Sequence, residues 1–91
     1  MNHRYPIPEV DLHGQRPENA LRRLAQALHT TRVQGGKKLL VITGKGFGNR
    51  LQQPILRSKV ESWLQGPEGR RAGVSGFQRV AEGGALEVKL L

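Results

Sequence analysis

Leu39-Leu40-Val41-Ile42-Thr43-Gly44-Lys45-Gly46-Phe47-Gly48, residues 39 to 48, is the stretch on which the fold turns. Its apolar start, β-branched toward the end, reads as a strand buried on both faces or central in a sheet. Three alternating glycines stop it. An earlier run, Glu9-Val10-Asp11-Leu12-His13-Gly14, has the same form. Val10 and Leu12 fall on one face, Asp11 and His13 on the other, and Gly14 ends the alternation. In an open α/β sheet, parallel strands end on one edge, and ligands bind there. Two strands running the same way would bring a carboxylate, an imidazole, an ammonium and a glycine-rich backbone to one place.

The chain between the two strands supports that direction. Pro17 suits the first turn of a helix, where its missing N–H costs nothing. Ala20, Leu21, Leu24, Ala25 and Leu28 follow at helical spacing, with Arg22, Arg23 and Gln26 facing outward. Gly35-Gly36 ends this unit. A right-handed crossover then makes the two strands parallel. Beyond the glycines, Pro54 restarts a helix whose buried stripe is Ile55, Leu56, Val60, Trp63 and Leu64. Gly66-Pro67 ends it, and residues 66 to 73 read as a loop carrying Arg70 and Arg71. Val74 to Ala81 is a weaker strand with Gly76 as a bulge. Glu82-Gly83-Gly84 is a turn. Leu86, Val88 and Leu90 alternate with Glu87 and Lys89 in a closing strand that forms a hairpin with the one before it.

The expected fold is α/β (α+β), a two-layer sandwich of order β-α-β-α-β-β. It has a four-stranded mixed sheet with two helices on one face. Residues 9–91 form a single domain, and residues 1–8, with Pro6 and Pro8, form a mobile arm.

Composition narrows the function. Ninety-one residues make one domain with a modest core, and 36% of them are hydrophobic. Cysteine is absent, which removes disulfides and thiolate metal sites and fits a reducing cytoplasm. No apolar run approaches the length of a membrane span, and Met1 to Pro6 lacks the apolar core of a signal peptide. The net charge is +8, and its distribution is uneven. Residues 16 to 59 hold ten basic residues (Arg16, Arg22, Arg23, Arg32, Lys37, Lys38, Lys45, Arg50, Arg57, Lys59) against Glu18. Residues 60 to 91 hold four of each sign. A field concentrated in this way attracts polyanions. Surface charge for solubility alone is the plainer reading, and the asymmetry favours nucleic acid over it. No helix combines a basic with a large aromatic face, so a membrane surface is not expected.

The candidate chemistry lies in the two strand ends. An imidazole near neutral pKa moves protons to and from oxygen, and Asp11 can orient it, hold a cation or act as base. A His–Asp pair that only ties a strand end to the next helix is the alternative. Gly44, Gly46 and Gly48 let backbone N–H groups approach an anion, with Lys45 and Arg50 as cations. The spacing is neither a P-loop nor G-x-G-x-x-G, and a tight turn needing glycine for positive φ is the alternative. Phe47, flanked by glycines, can stack on a base or plug the sheet edge. His3 and His29 have no ligand-like spacing to His13. Trp63 lies on an apolar stripe and reads as core.

With these residues in place, the chain resembles the Smr (small MutS-related) domain family over about Glu9 to Leu91. Asp11-Leu12-His13-Gly14 before an Ala20-Leu21 helix looks like the family's first motif. Thr43-Gly44-Lys45-Gly46 looks like its second, often His-Gly-x-Gly and in some members Thr-Gly-x-Gly. Gly83-Gly84-Ala85-Leu86-Glu87-Val88 resembles its closing turn and last strand. The resemblance implies a compact domain like the C-terminal half of a translation initiation factor. It also implies nuclease activity, as DNA nicking in some members and as RNA cleavage, including messenger RNA on stalled ribosomes, in others. Carried over by motif, Asp11 and His13 are the catalytic pair, and Gly44, Lys45 and Gly46 the phosphate loop. Thr43 stands where many members have histidine, so His13 is the one motif imidazole.

The expected protein is thus a basic, monomeric nucleic-acid-binding domain and an endonuclease, with RNA favoured over DNA and the ribosome as a possible setting. Lys45 and the loop amides would stabilise charge on phosphate. A divalent cation such as Mg²⁺ is the cofactor Asp11 could hold. A module that binds without cleaving is the competing class, and a protein-interaction domain a weaker third.

Overall fold

The computed structural model describes residues 7–44 and 52–91. Strand β1 spans Glu9–Asp11 and helix α1 spans Pro17–Val33. Strand β2, Lys38–Ile42, is followed by α2, Gln52–Gln65, and the short α3, Pro67–Arg71. Strands β3, Val74–Val80, and β4, Ala85–Leu90, flank a turn at Ala81–Gly83. The sheet order is β1-β2-β4-β3. β1 pairs parallel with β2, in the register Val10↔Val41 and Asp11↔Ile42, and the other two pairings are antiparallel. The mixed four-stranded sheet and the hairpin agree with the sequence.

One sheet face carries the core. Leu39 and Val41 of β2 are buried while Leu40 and Ile42 are partly exposed, so the strand alternates despite its continuous apolar run. Its buried side meets Val10 and Leu12, Leu24 and Leu28 of α1, Leu56, Val60 and Leu64 of α2, and Leu86 and Val88 of β4. Each fully buried leucine or valine contributes roughly 1.5–3 kcal/mol, and the core consists almost wholly of these two types. The outer sheet face is polar at one end, where Glu87 accepts from Gln78 at 3.2 Å and lies 4.0 Å from Lys38.

Four details differ from expectation. Residues 67 to 71 form a helical turn rather than loop. Pro67 fits its N-terminal position, and the five residues are too few to show a period. Ala25 and Ile55 are exposed, although spacing placed both on buried stripes. Each lies at the margin of a stripe narrower than the five-residue pattern implied. Thr31 is buried instead, its hydroxyl donating to the Ala27 carbonyl at 2.7 Å. The 82–84 turn begins at Ala81, and Ala81, Glu82 and Gly83 all take positive φ. The bulge beside Gly76 is present, as a register shift between Val74 and Gly76. The expected arm overlaps the described residues only at Ile7 and Pro8, which are exposed.

Candidate active site

β1 ends at Asp11, earlier than the sequence suggested, so His13 is not on the strand. The Leu12 N–H still donates to the Ile42 carbonyl at 2.7 Å, and the chain then turns. Gln15 N–H donates back to the Leu12 carbonyl, and Gly14 takes φ +75°, which favours glycine at that turn position. The turn leaves the pair together. Asp11 Oδ1 accepts the His13 backbone N–H at 3.1 Å, and His13 Nδ1 lies 2.6 Å from the same oxygen. The first contact is an Asx turn, in which a side chain fixes the backbone two residues on. Both side chains face solvent, at 50% exposure for Asp11 and 63% for His13.

The electrostatics favour the anion. The hydrogen bond with the His13 ring holds the Asp11 carboxyl below its ordinary range, with smaller help from the His13 backbone N–H and the charges of His13 and Arg23. Partial burial opposes the shift. With Nδ1 engaged, Nε2 is the ring nitrogen left to exchange a proton with a substrate. Arg23 is the residue that sequence reasoning undervalued. It was legible as an outward cation on α1, but only the packing of α1 beside β1 brings its field onto Asp11.

The second motif begins at the same edge, because Ile42 is the parallel partner of Asp11. Thr43 is fully buried, which keeps its hydroxyl from an approaching substrate. Gly44 takes φ +90°. Its N–H and that of Thr43 both donate to the Gly84 carbonyl, at 2.9 and 3.0 Å. The Gly44 amide is therefore committed within the fold rather than offered to a phosphate, and this residue serves the chain's exit from β2. Lys45, Gly46, Phe47, Gly48 and Arg50 lie outside the described residues.

A third segment completes the edge. Ala81 and Glu82 adopt φ of +53° and +56°, a region that costs a side-chain-bearing residue about 1–2 kcal/mol. The strained turn carries the Gly84 carbonyl to the end of β2, and Arg57 of α2 donates to the Gly83 carbonyl at 3.0 Å. The Gly83-Gly84 pair singled out in the sequence thus ties the end of β2 and helix α2 together through its carbonyls. Among the described residues no three His, Cys, Asp or Glu side chains are grouped to hold a metal. One carboxylate suits only a cation that arrives with the substrate's phosphates.

The Smr domain family model matches residues 10–90. The crystal structure of the Smr domain of Thermus thermophilus MutS2 is similar at 30% identity and a TM-score of 0.74, over 93% of this chain and 99% of that one. YdaL, a stand-alone small MutS-related protein from Escherichia coli, shares the fold with a TM-score of 0.76 at 23% identity. That likeness covers 90% of this chain and 63% of YdaL, so the present chain spans less than two thirds of that protein. Comparison with curated protein sequences gives no match. The chain belongs to the Smr domain family, a family of nucleic-acid-binding and nuclease-related domains.

Proposed function

We propose that this Smr domain binds RNA and cleaves its phosphodiester bonds at the edge where β1 and β2 end. The observation that carries the reading is the exposed Asp11–His13 pair. A pair that merely tied the strand to α1 would reach across to the helix. This one is local and half exposed, and among the described residues Nε2 has no hydrogen-bond partner. His13 takes the proton of the attacking 2′-hydroxyl and returns it to the 5′-oxygen as the P–O5′ bond breaks, and Asp11 holds the ring's tautomer and stabilises the imidazolium that forms between the two transfers. Arg23 offsets charge on the phosphate. Lys45 and the Gly46 and Gly48 amides are proposed to do the same.

RNA is favoured over DNA by the single imidazole. A 2′-hydroxyl is an internal nucleophile already beside the phosphorus, so one proton acceptor starts the reaction. DNA lacks that group and makes a second acid/base residue more valuable, and here that position is the buried Thr43. The same substitution favours the second reading, a module that binds RNA, free or on the ribosome, without cutting it.

The test is incubation of the purified domain with end-labelled single-stranded RNA and duplex DNA, with and without Mg²⁺. The expected result is RNA cut to a 2′,3′-cyclic phosphate with the DNA intact. Tight RNA binding without cleavage supports the module. Neither binding nor cleavage refutes both.

A further inference from the structure

We propose that a groove between α1 and the α2–α3 corner is a second nucleic-acid contact, which takes an unpaired base and its flanking phosphates from single-stranded RNA. The proposal rests on the nucleic-acid reading above but on different residues. The groove has a volume of about 290 Å³. Ala25, His29 and Arg32 of α1 line one side, and Trp63, Glu68 and Arg71 the other. Ala25 is exposed here, and so small a side chain leaves room beside the indole.

Three observations point to the ligand. Trp63 is partly buried and packs against the core, so its ring is held in place while lining the groove. Arg32 and Arg71 make no ion pair or side-chain hydrogen bond among the described residues, whereas Arg79 is clamped by Glu61 at 2.7 Å. Glu68, the acid of the groove, pairs with neither within 4.0 Å, and the two guanidiniums outnumber it. The Arg32 guanidinium lies over Gly73, where a Cβ would fall 2.8 Å from Nε. The bare backbone there lets Arg32 lie toward the α3 end of the groove.

A fixed indole sharing a groove with two guanidiniums that make no ion pair among the described residues is the chemistry of single-strand recognition, in which bases stack and phosphates pair with cations. A duplex keeps its bases stacked on each other, and this volume does not admit one. Arg23, beside the Asp11 site, precedes Arg32 by about 14 Å along the α1 axis at 1.5 Å per residue. At about 100° per residue the two arginines lie on opposite flanks of α1, Arg23 toward β1 and Arg32 toward α2 and α3, so the groove is a contact separate from the catalytic edge.

The test uses Trp63 itself, because it is the sole tryptophan. A short single-stranded RNA is titrated into the domain while tryptophan emission and labelled-RNA anisotropy are followed in parallel. Quenching is expected to saturate with the affinity given by anisotropy. Duplex DNA should quench little. Arg32→Gln and Arg71→Gln should each lower the slope of log affinity against log salt by about 0.7, the share of one phosphate contact on a single strand. Lys89→Gln, on the opposite sheet face, should leave the slope unchanged. RNA binding without quenching, or equal slopes in all three variants, overturns the groove while leaving the nucleic-acid reading intact. That result would assign the groove to another partner, such as an acidic protein segment. Quenching by duplex DNA equal to that by RNA also overturns it. Absence of anisotropy change at low salt overturns the nucleic-acid reading, and the groove with it.

Discussion

Replacing Asp11 by Asn separates catalysis from stability more cleanly than any deletion. Asn keeps an oxygen that accepts the His13 backbone N–H, so the Asx turn survives. What is lost is the charge facing His13 Nδ1 at 2.6 Å. With the two side chains 50% and 63% exposed, that contact contributes about 0–1 kcal/mol to folding. In a domain of this size such a loss lowers Tm by at most about 8 °C. Cleavage should suffer far more. General acid–base catalysis is worth about 10²–10⁴ in rate, equivalent to roughly 3–5 kcal/mol of barrier. RNA affinity should hold or rise slightly, because an anion has left a phosphate site. Initial cleavage rates, circular-dichroism melts and fluorescence anisotropy on the same preparation measure all three quantities. A folded Asn variant that cuts at the wild-type rate refutes the role of Asp11. So does a rate loss that merely follows the unfolded fraction.

Three further outcomes are expected. The Asp11 and Glu61 carboxyls sit below their ordinary values of 3.8 and 4.5, through hydrogen bonds from His13 and Arg79. The unfolded chain therefore takes up protons first, and stability should be lost as pH falls from the ordinary values through the lowered ones. Melts across acid pH check this, and Glu61→Gln should flatten the upper part of the fall; an unchanged curve would remove the Arg79 pairing from the account. At Gly69 a Cβ would lie 2.1 Å from the Leu64 carbonyl oxygen. Gly69→Ala should cost about 1–3 kcal/mol by overpacking, a Tm loss of at least about 4 °C, and an unaltered melt would contradict the α2–α3 packing. RNA affinity should drop steeply with salt, and Arg23→Glu should weaken binding to all sequences alike, since phosphate contacts carry no base information; a sequence-selective loss would show Arg23 reading bases.

Local chemistry made much of this fold legible. Gly44 marked the end of β2, Gly14 placed the end of β1 two residues late, and proline and glycine bracketed α1. What the sequence withheld was non-local. Nothing in Ala85–Leu90 announces that β4 inserts between β2 and β3, because its alternation fits an edge or a centre equally well. The α3 turn is too short for a period to show. At the site, the Asp-Leu-His-Gly spacing led to the right pair by an inexact route. The strand ends at Asp11, and a turn rather than strand geometry returns His13 to the carboxylate. The commitment of the Gly44 amide depends on Gly84, forty residues later, and no reading of the glycine run alone could reveal it.

The most direct test of the central claim compares wild type with His13→Ala on one end-labelled single-stranded RNA, measuring cleavage rate and affinity together. His13 is exposed, so the variant should fold. The account predicts a rate lower by about 10² or more, with affinity within a few-fold, because the basic field is untouched. Cleavage by the folded variant at the wild-type rate would contradict it.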